Sequence, residues 1–212
     1  MSLPTYLSHP VLPWEPDWSA PSLSAEFHQK KNRWDTGAGP IVDDAPHQGR
    51  PRTARRLRFV LTTRAEITDA RALLTDTLMG RLGTVWVPFW PTALTLHAAA
   101  ASGASAIVIQ SVDAARLYAP ASNARKHLAI FASTPGSAPT MLLRQIDSVT
   151  PHTDGTETLN LHTALSQDVA AGDAVAFLLL SRADSDQFVL QWETPSVAVL
   201  ELPLIDLPKE TP

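Results

Sequence analysis

From Arg56 to Trp90 the chain reads strand, capped helix, strand, and that order limits the folds open to it. Leu57, Phe59 and Leu61 alternate with Arg56, Arg58 and Val60, the period of a strand with one buried face. Thr63 is followed three residues later by Glu66, the spacing of a capping box. In that motif the Thr hydroxyl accepts the Glu backbone N–H, and the carboxylate reaches back to the Thr N–H. Ile67, Ala70, Leu73, Leu74 and Leu78 then recur at helical spacing, which predicts a helix over 64–79 with one apolar stripe. Gly80 and Gly83 are the expected stops. Val85, Val87 and Phe89 alternate with Trp86, Pro88 and Trp90 in a second strand.

Such a unit cannot complete its own sheet. Its partner is expected near the C-terminus, where Phe188, Leu190 and Trp192 share one face, and Val197, Val199 and Glu201 alternate with Ala198, Leu200 and Leu202. Between these parts, short apolar segments such as Ala106–Ile109, Leu128–Phe131 and Ala174–Leu180 are separated by turn signals, Asp154-Gly155 among them. That rhythm indicates a small β-barrel or sandwich. The expectation is therefore a mainly β chain: a split β-sandwich with one packed α-helix, carrying an inserted small β-barrel or sandwich domain. Residues 56–93 and 183–203 would form the sandwich, 94–182 the insertion and 204–212 a C-terminal tail.

Residues 1–55 are rich in proline and turn formers yet carry Trp14, Trp18 and Trp34. A buried Trp removes about 150–250 Å² from water, so an arm with three of them is expected to dock on its own domain or on a neighbouring subunit. Arg50, Arg52, Arg55, Arg56 and Arg58 precede and enter the first strand. They read either as a solvated strand entry or as an inter-subunit patch. The interface candidates are accordingly Trp14, Trp18, Trp34, Arg55, Arg56, Arg58, Trp86 and Trp90, with Trp86 and Trp90 also candidates for the core.

A net charge of −4 argues against generic nucleic-acid binding. The 212 residues contain no cysteine, which removes thiolate chemistry and disulfides. Met1–Trp14 lacks the basic start and apolar run of a secretory signal. The longest apolar runs fall far short of the roughly 20 residues of a membrane helix, so no membrane insertion is expected. There is no G-x-S-x-G elbow, Walker loop, G-x-G-x-x-G or H-E-x-x-H. His152 and His162 flank the Asp154-Gly155 turn and could in principle hold zinc with Asp154, but polar residues on an exposed hairpin face are the simpler reading. Asp184, Asp186 and Glu193, like Asp43 and Asp44, lack the remaining ligands of a calcium loop. No catalytic residue, cofactor or metal ligand is assigned, and the chain reads as a non-enzyme.

Four segments carry a resemblance. Lys31-Asn32-Arg33-Trp34-Asp35-Thr36-Gly37 leads into an Arg-rich strand; Arg58 to Glu66 passes from strand to helix; Val85-Trp86-Val87-Pro88-Phe89-Trp90-Pro91 is an aromatic–proline segment after that helix; and Asp186 to Leu202 is a late hairpin. Together they resemble the distal tail protein family, tail-tip or baseplate ring components of long-tailed bacteriophages. The resemblance implies a structural subunit of a tail tip in the virion, assembled in the host cytoplasm. It implies a homo-oligomeric ring, a hexamer before a trimer, between the tail tube protein and the baseplate hub or receptor-binding parts. It carries no catalytic residues. The alternative is a carbohydrate-binding or adhesin-like β module, for which Tyr118 is the aromatic to test.

Overall fold

The computed structural model describes residues 3–19, 25–28, 32–35, 40–43, 52–90, 94–114, 126–133 and 139–207. The chain is mainly β and sandwich-like, with one short helix. Its strands are β1 (Thr5–Tyr6), β2 (His9–Pro10), β3 (Ala25–His28), β4 (Asn32–Asp35), β5 (Pro40–Asp43), β6 (Arg52–Leu61), β7 (Thr84–Pro88), β8 (Leu94–Thr95) and β9 (Ala106–Gln110). They continue with β10 (His127–Ala132), β11 (Thr140–Pro151), β12 (Thr156–Leu161), β13 (Ala174–Ala183), β14 (Val189–Thr194) and β15 (Val197–Asp206). Helix α1 (Arg64–Ala72) follows β6.

Two compact units are present. One comprises 16–84 with 181–209, and the other 2–15 with 85–180. The expected division at 93/94 thus lies nine residues downstream of the observed one at 84/85, and of the expected arm 1–55, residues 2–15 group with the second unit and 16–55 with the first.

In the first unit β15 pairs antiparallel with β6 over eight positions, from Ala198↔Leu61 to Ile205↔Ala54. The late hairpin therefore does share a sheet with the early strand. β3 borders β6 on one side, through Ala25↔Arg55 to His28↔Arg52. β14 borders β15 on the other, with Leu190↔Leu200 and Trp192↔Ala198 in register. Leu57, Phe59 and Leu61 face the same side as Leu202, Leu200 and Ala198, and all six are buried. α1 packs on that side against β6 and β15, contributing Ile67 and Ala70.

The capping box is present as the sequence implies. Glu66 N–H donates to Thr63 Oγ1 at 3.2 Å, and Thr63 N–H donates to Glu66 Oε2 at 3.0 Å. The same carboxylate oxygen accepts the Thr62 N–H at 2.7 Å, so one acid satisfies two orphan donors. The helix does not continue as α-helix to residue 79. Leu73–Leu78 is a π-helical turn closed by Met79 N–H to the Leu74 carbonyl at 3.2 Å. Widening the turn keeps Leu73 and Leu78 both buried. Met79 takes the left-handed cap conformation with φ 43°. At Gly83 any Cβ would collide with the Thr77 carbonyl, so this position has no room for a side chain.

The C-terminal strand extends past the point where a tail was expected to begin. Leu202, Leu204 and Asp206 hold the buried alternation through β15, and Leu207 is buried as well. Pro203 stands opposite Arg56 on the other face, and its carbonyl accepts the Asp184 N–H at 2.9 Å.

In the second unit the ladder runs β8–β13–β10–β11–β12–β9. It closes where Leu96 bridges Ile109 and the His97 N–H donates to the Val108 carbonyl at 2.8 Å. A closed ladder leaves no unpaired edge. Leu96, Ile107, Ile109, Leu128, Ile130, Leu142, Leu159, Val175 and Phe177 fill its interior. The Asp154-Gly155 turn joins β11 to β12 with Gly155 at φ +82°, the left-handed position glycine is suited to.

The opposite face of β10, β11 and β13 is covered by the N-terminal residues. Leu7 and Ser8, at φ 46° and 68°, turn β1 back onto β2. Val11 then bridges Trp86 in parallel, and the Leu12 N–H donates to the Trp86 carbonyl at 2.9 Å. Val11, Trp86, Ala129, Leu178 and Leu180 form a second buried cluster there, flanked by Tyr6, Phe131, Met141 and Leu143.

Candidate functional site

The eight interface candidates do not converge. In the second unit Trp86 has no exposed surface: it is the largest fully buried side chain among the described residues, and its Nε1–H donates to the Tyr6 carbonyl at 3.0 Å. Its ring lies 5.8 Å from that of Tyr6 and 4.8 Å from that of His127. The Tyr6 hydroxyl and His127 Nδ1 share a hydrogen bond of 2.9 Å. Burial pushes the Tyr6 phenol up to about 12, with Arg144 pulling weakly the other way, so the hydroxyl keeps its proton. This trio fastens the N-terminal strap to the barrel unit. It offers no nucleophile, and Trp86 belongs to the core. Trp90 is half-buried, its ring 4.6 Å from Phe131, and Trp14 is half-buried too.

In the first unit Arg55 is also buried, with Nη2 donating to Ser181 Oγ at 3.3 Å. A guanidinium taken out of water needs polar company, and here it comes from within the chain. Arg58 is half-buried. Its Nε lies 3.7 Å from Asp17 Oδ2, an ion pair too long for a hydrogen bond, while the Asp17 N–H donates to the Arg58 carbonyl at 2.7 Å. The Ser19 hydroxyl and then its N–H hold the Asp17 carboxyl below its ordinary value, with Arg58 a smaller influence. Arg56 is exposed, and Trp18 is 51% exposed. Trp34 stands opposite Ile41 in the β4–β5 pair, and its side chain lies outside the described residues. Asp44 and Tyr118 also lie outside them.

The polar pairs considered for metal binding are engaged singly. His152 Nε2 meets Thr158 Oγ1 at 2.7 Å, and His162 Nδ1 meets Asp147 Oδ1 at 3.1 Å. Asp154 accepts the Thr156 hydroxyl and N–H, which lower its carboxyl below the ordinary value. Among the described residues no group of three His, Asp or Glu side chains is placed to hold a metal ion. Buried Glu157 accepts the Val112 and Ala114 N–H groups at 3.1 and 3.0 Å, and Asp173 binds Ser133 and the Ala170 N–H; both carboxylates order loops.

The first unit also carries exposed apolar side chains on β14 and on the turn after the helix. β14 is open on both faces, with Val189 56% and Trp192 51% exposed. Trp192 continues the row Leu61–Ala198, whose two members are fully buried, and then stands in solvent. Leu82, 76% exposed, and Met79, 54% exposed, lie on the turn after the helix. Sequence reasoning missed this border because alternation assigns Trp192 to the core face and cannot say that the core ends one strand earlier. The one available signal was Met79 and Leu82 beside Gly80 and Gly83, where the helical pattern stops.

No family model matches the chain, and no characterised protein matches it in sequence.

Proposed function

We propose that the chain is a structural subunit of a bacteriophage tail tip, forming a ring that joins the tail tube to the baseplate hub or receptor-binding parts. The observation that supports it most is β14, an edge strand exposed on both faces and carrying Val189 and Trp192. An exposed strand edge with large apolar side chains invites pairing with another chain, and soluble monomers normally blunt such edges. Tail assembly supplies a fixed neighbour for such an edge. The resemblance carried by Arg58–Glu66, Val85–Pro91 and Asp186–Leu202 names the setting. In this reading the barrel unit is the part that meets other tail proteins.

The test is co-assembly. Purified protein is mixed with the tail tube protein and the hub protein of the same phage and imaged in negative stain. Annular particles that cap tube ends support the reading. A chain that never enters a particle with either partner overturns it.

A further inference from the structure

The apolar groove under the N-terminal strap is built by residues distant from it in sequence. Trp86 of β7, Ala129 of β10, and Leu178 and Leu180 of β13 form it, and all lie within 85–180. The strap supplies Tyr6, Val11 and Leu12, the last two with no exposed surface. Three polar contacts align it: the Tyr6 hydroxyl on His127 Nδ1, the Leu12 N–H on the Trp86 carbonyl, and Trp86 Nε1–H on the Tyr6 carbonyl. After residue 15 the chain runs through 16–84 in the first unit and returns to this unit only at Val85. Noncovalent contacts therefore hold the strap in its groove. An identical strap from a second copy makes the same contacts and satisfies the same polar groups, so an exchange between copies loses none of them.

Only the connecting segment decides which copy supplies the strap, and that segment is short. Leu12 is held on the Trp86 carbonyl, and the Asp17 N–H donates to the Arg58 carbonyl at 2.7 Å. Pro13-Trp14-Glu15-Pro16 is all that lies between them. Its two prolines fix φ and offer no N–H, so the segment is stiff as well as short. A short, stiff hinge restricts how a terminal element returns to its own body, and this is the condition that invites exchange between copies.

We infer that in the assembled ring the strap of one copy, residues 3–12, fills the groove beside Trp86 in the next copy. The partner that the groove takes is a second copy of this chain, recognised through Tyr6, Val11 and Leu12. A strap passed from copy to copy is a head-to-tail contact, and such contacts repeat until a ring closes. The inference rests on the ring reading and specifies one contact that links its subunits.

Because the chain has no cysteine, introduced thiols are the only ones present. Leu12 and Val87 stand one step beyond the parallel Val11–Trp86 bridge, and both are fully buried. A Leu12→Cys/Val87→Cys protein is assembled under reducing conditions with the tube and hub proteins, oxidised in the ring fraction, and run on a non-reducing gel. Disulfides between chains, seen as a ladder of covalent multimers, are the expected result. A disulfide within each chain, which leaves every subunit a monomer on the gel, overturns the inference while the ring reading stands. Rings with no disulfide overturn it too, because the two positions then do not meet across copies. Leu12→Cys and Val87→Cys proteins are also prepared singly, so that each carries one small change, and assembled together. Dimer from the mixed rings but from neither protein alone is expected, and mixed rings without dimer overturn the inference. A parent that stays monomeric, alone and beside its tube and hub partners, removes the ring reading itself.

Discussion

Trp86 Nε1 donates to the Tyr6 carbonyl at 3.0 Å, across eighty positions of sequence, and this bond ties the N-terminal strap to the barrel unit. Trp86→Ala removes a fully buried indole and takes that donor from the carbonyl. A loss of about 3–5 kcal/mol is expected, the range for large-to-small core changes. Urea unfolding measures it. A loss below about 1 kcal/mol would show that the strap is not held this way.

Tyr6 gives the same contact a pH signature. Its phenol is raised from 10.0 to about 12, chiefly by burial. A folded pKa above the unfolded one means that the stabilisation is complete below pH 10 and is lost as pH rises through about 12. Tyr6→Phe should lower stability at neutral pH by about 1 kcal/mol through the lost hydrogen bond to His127. It should also flatten the decline between pH 10 and 12, which thermal melts across that window read directly.

Thr63 and Glu66 show what the sequence made legible. The spacing was sufficient because a capping box is local and needs no knowledge of the tertiary fold. Thr63→Ala is expected to cost about 1 kcal/mol, and Thr63→Ser much less. Equal costs for the two would mean that the hydroxyl is not the operative group.

Other features were legible for the same reason and only to the same extent. Alternation in Leu57–Leu61 and Ala198–Leu202 fixed which faces are buried, and pairing of β6 with β15 follows from two half-buried strands that each need a neighbour. What alternation cannot state is the partner. Trp86 demanded burial, but nothing in its neighbours said that residues 4–12 would cover it. The π-helical turn at Leu73–Leu78 was hidden because the spacing of Leu73, Leu74 and Leu78 also suits an α-helix. The open border was hidden for the converse reason: Val189 and Trp192 have the composition of a core strand, and their exposure depends on how many strands precede them.

Leu7 and Ser8 form a tight turn with φ at 46° and 68°, a conformation that suits Asn-Gly far better than a bulky side chain. Holding an L-residue there costs roughly 1–2 kcal/mol. Leu7→Asn with Ser8→Gly is therefore expected to raise stability by about 1 kcal/mol. The midpoint of urea unfolding should move upward, and a downward shift would mean that Leu7 makes a contact worth more than the strain.

Ring formation itself is tested most directly by the mass of the parent protein in solution, measured by mass photometry across a concentration series with and without the tube protein. The expected result is a closed species of fixed stoichiometry, six subunits before three, that a Val189→Lys/Trp192→Lys protein fails to form. A single 22.9 kDa monomer under every condition would contradict it.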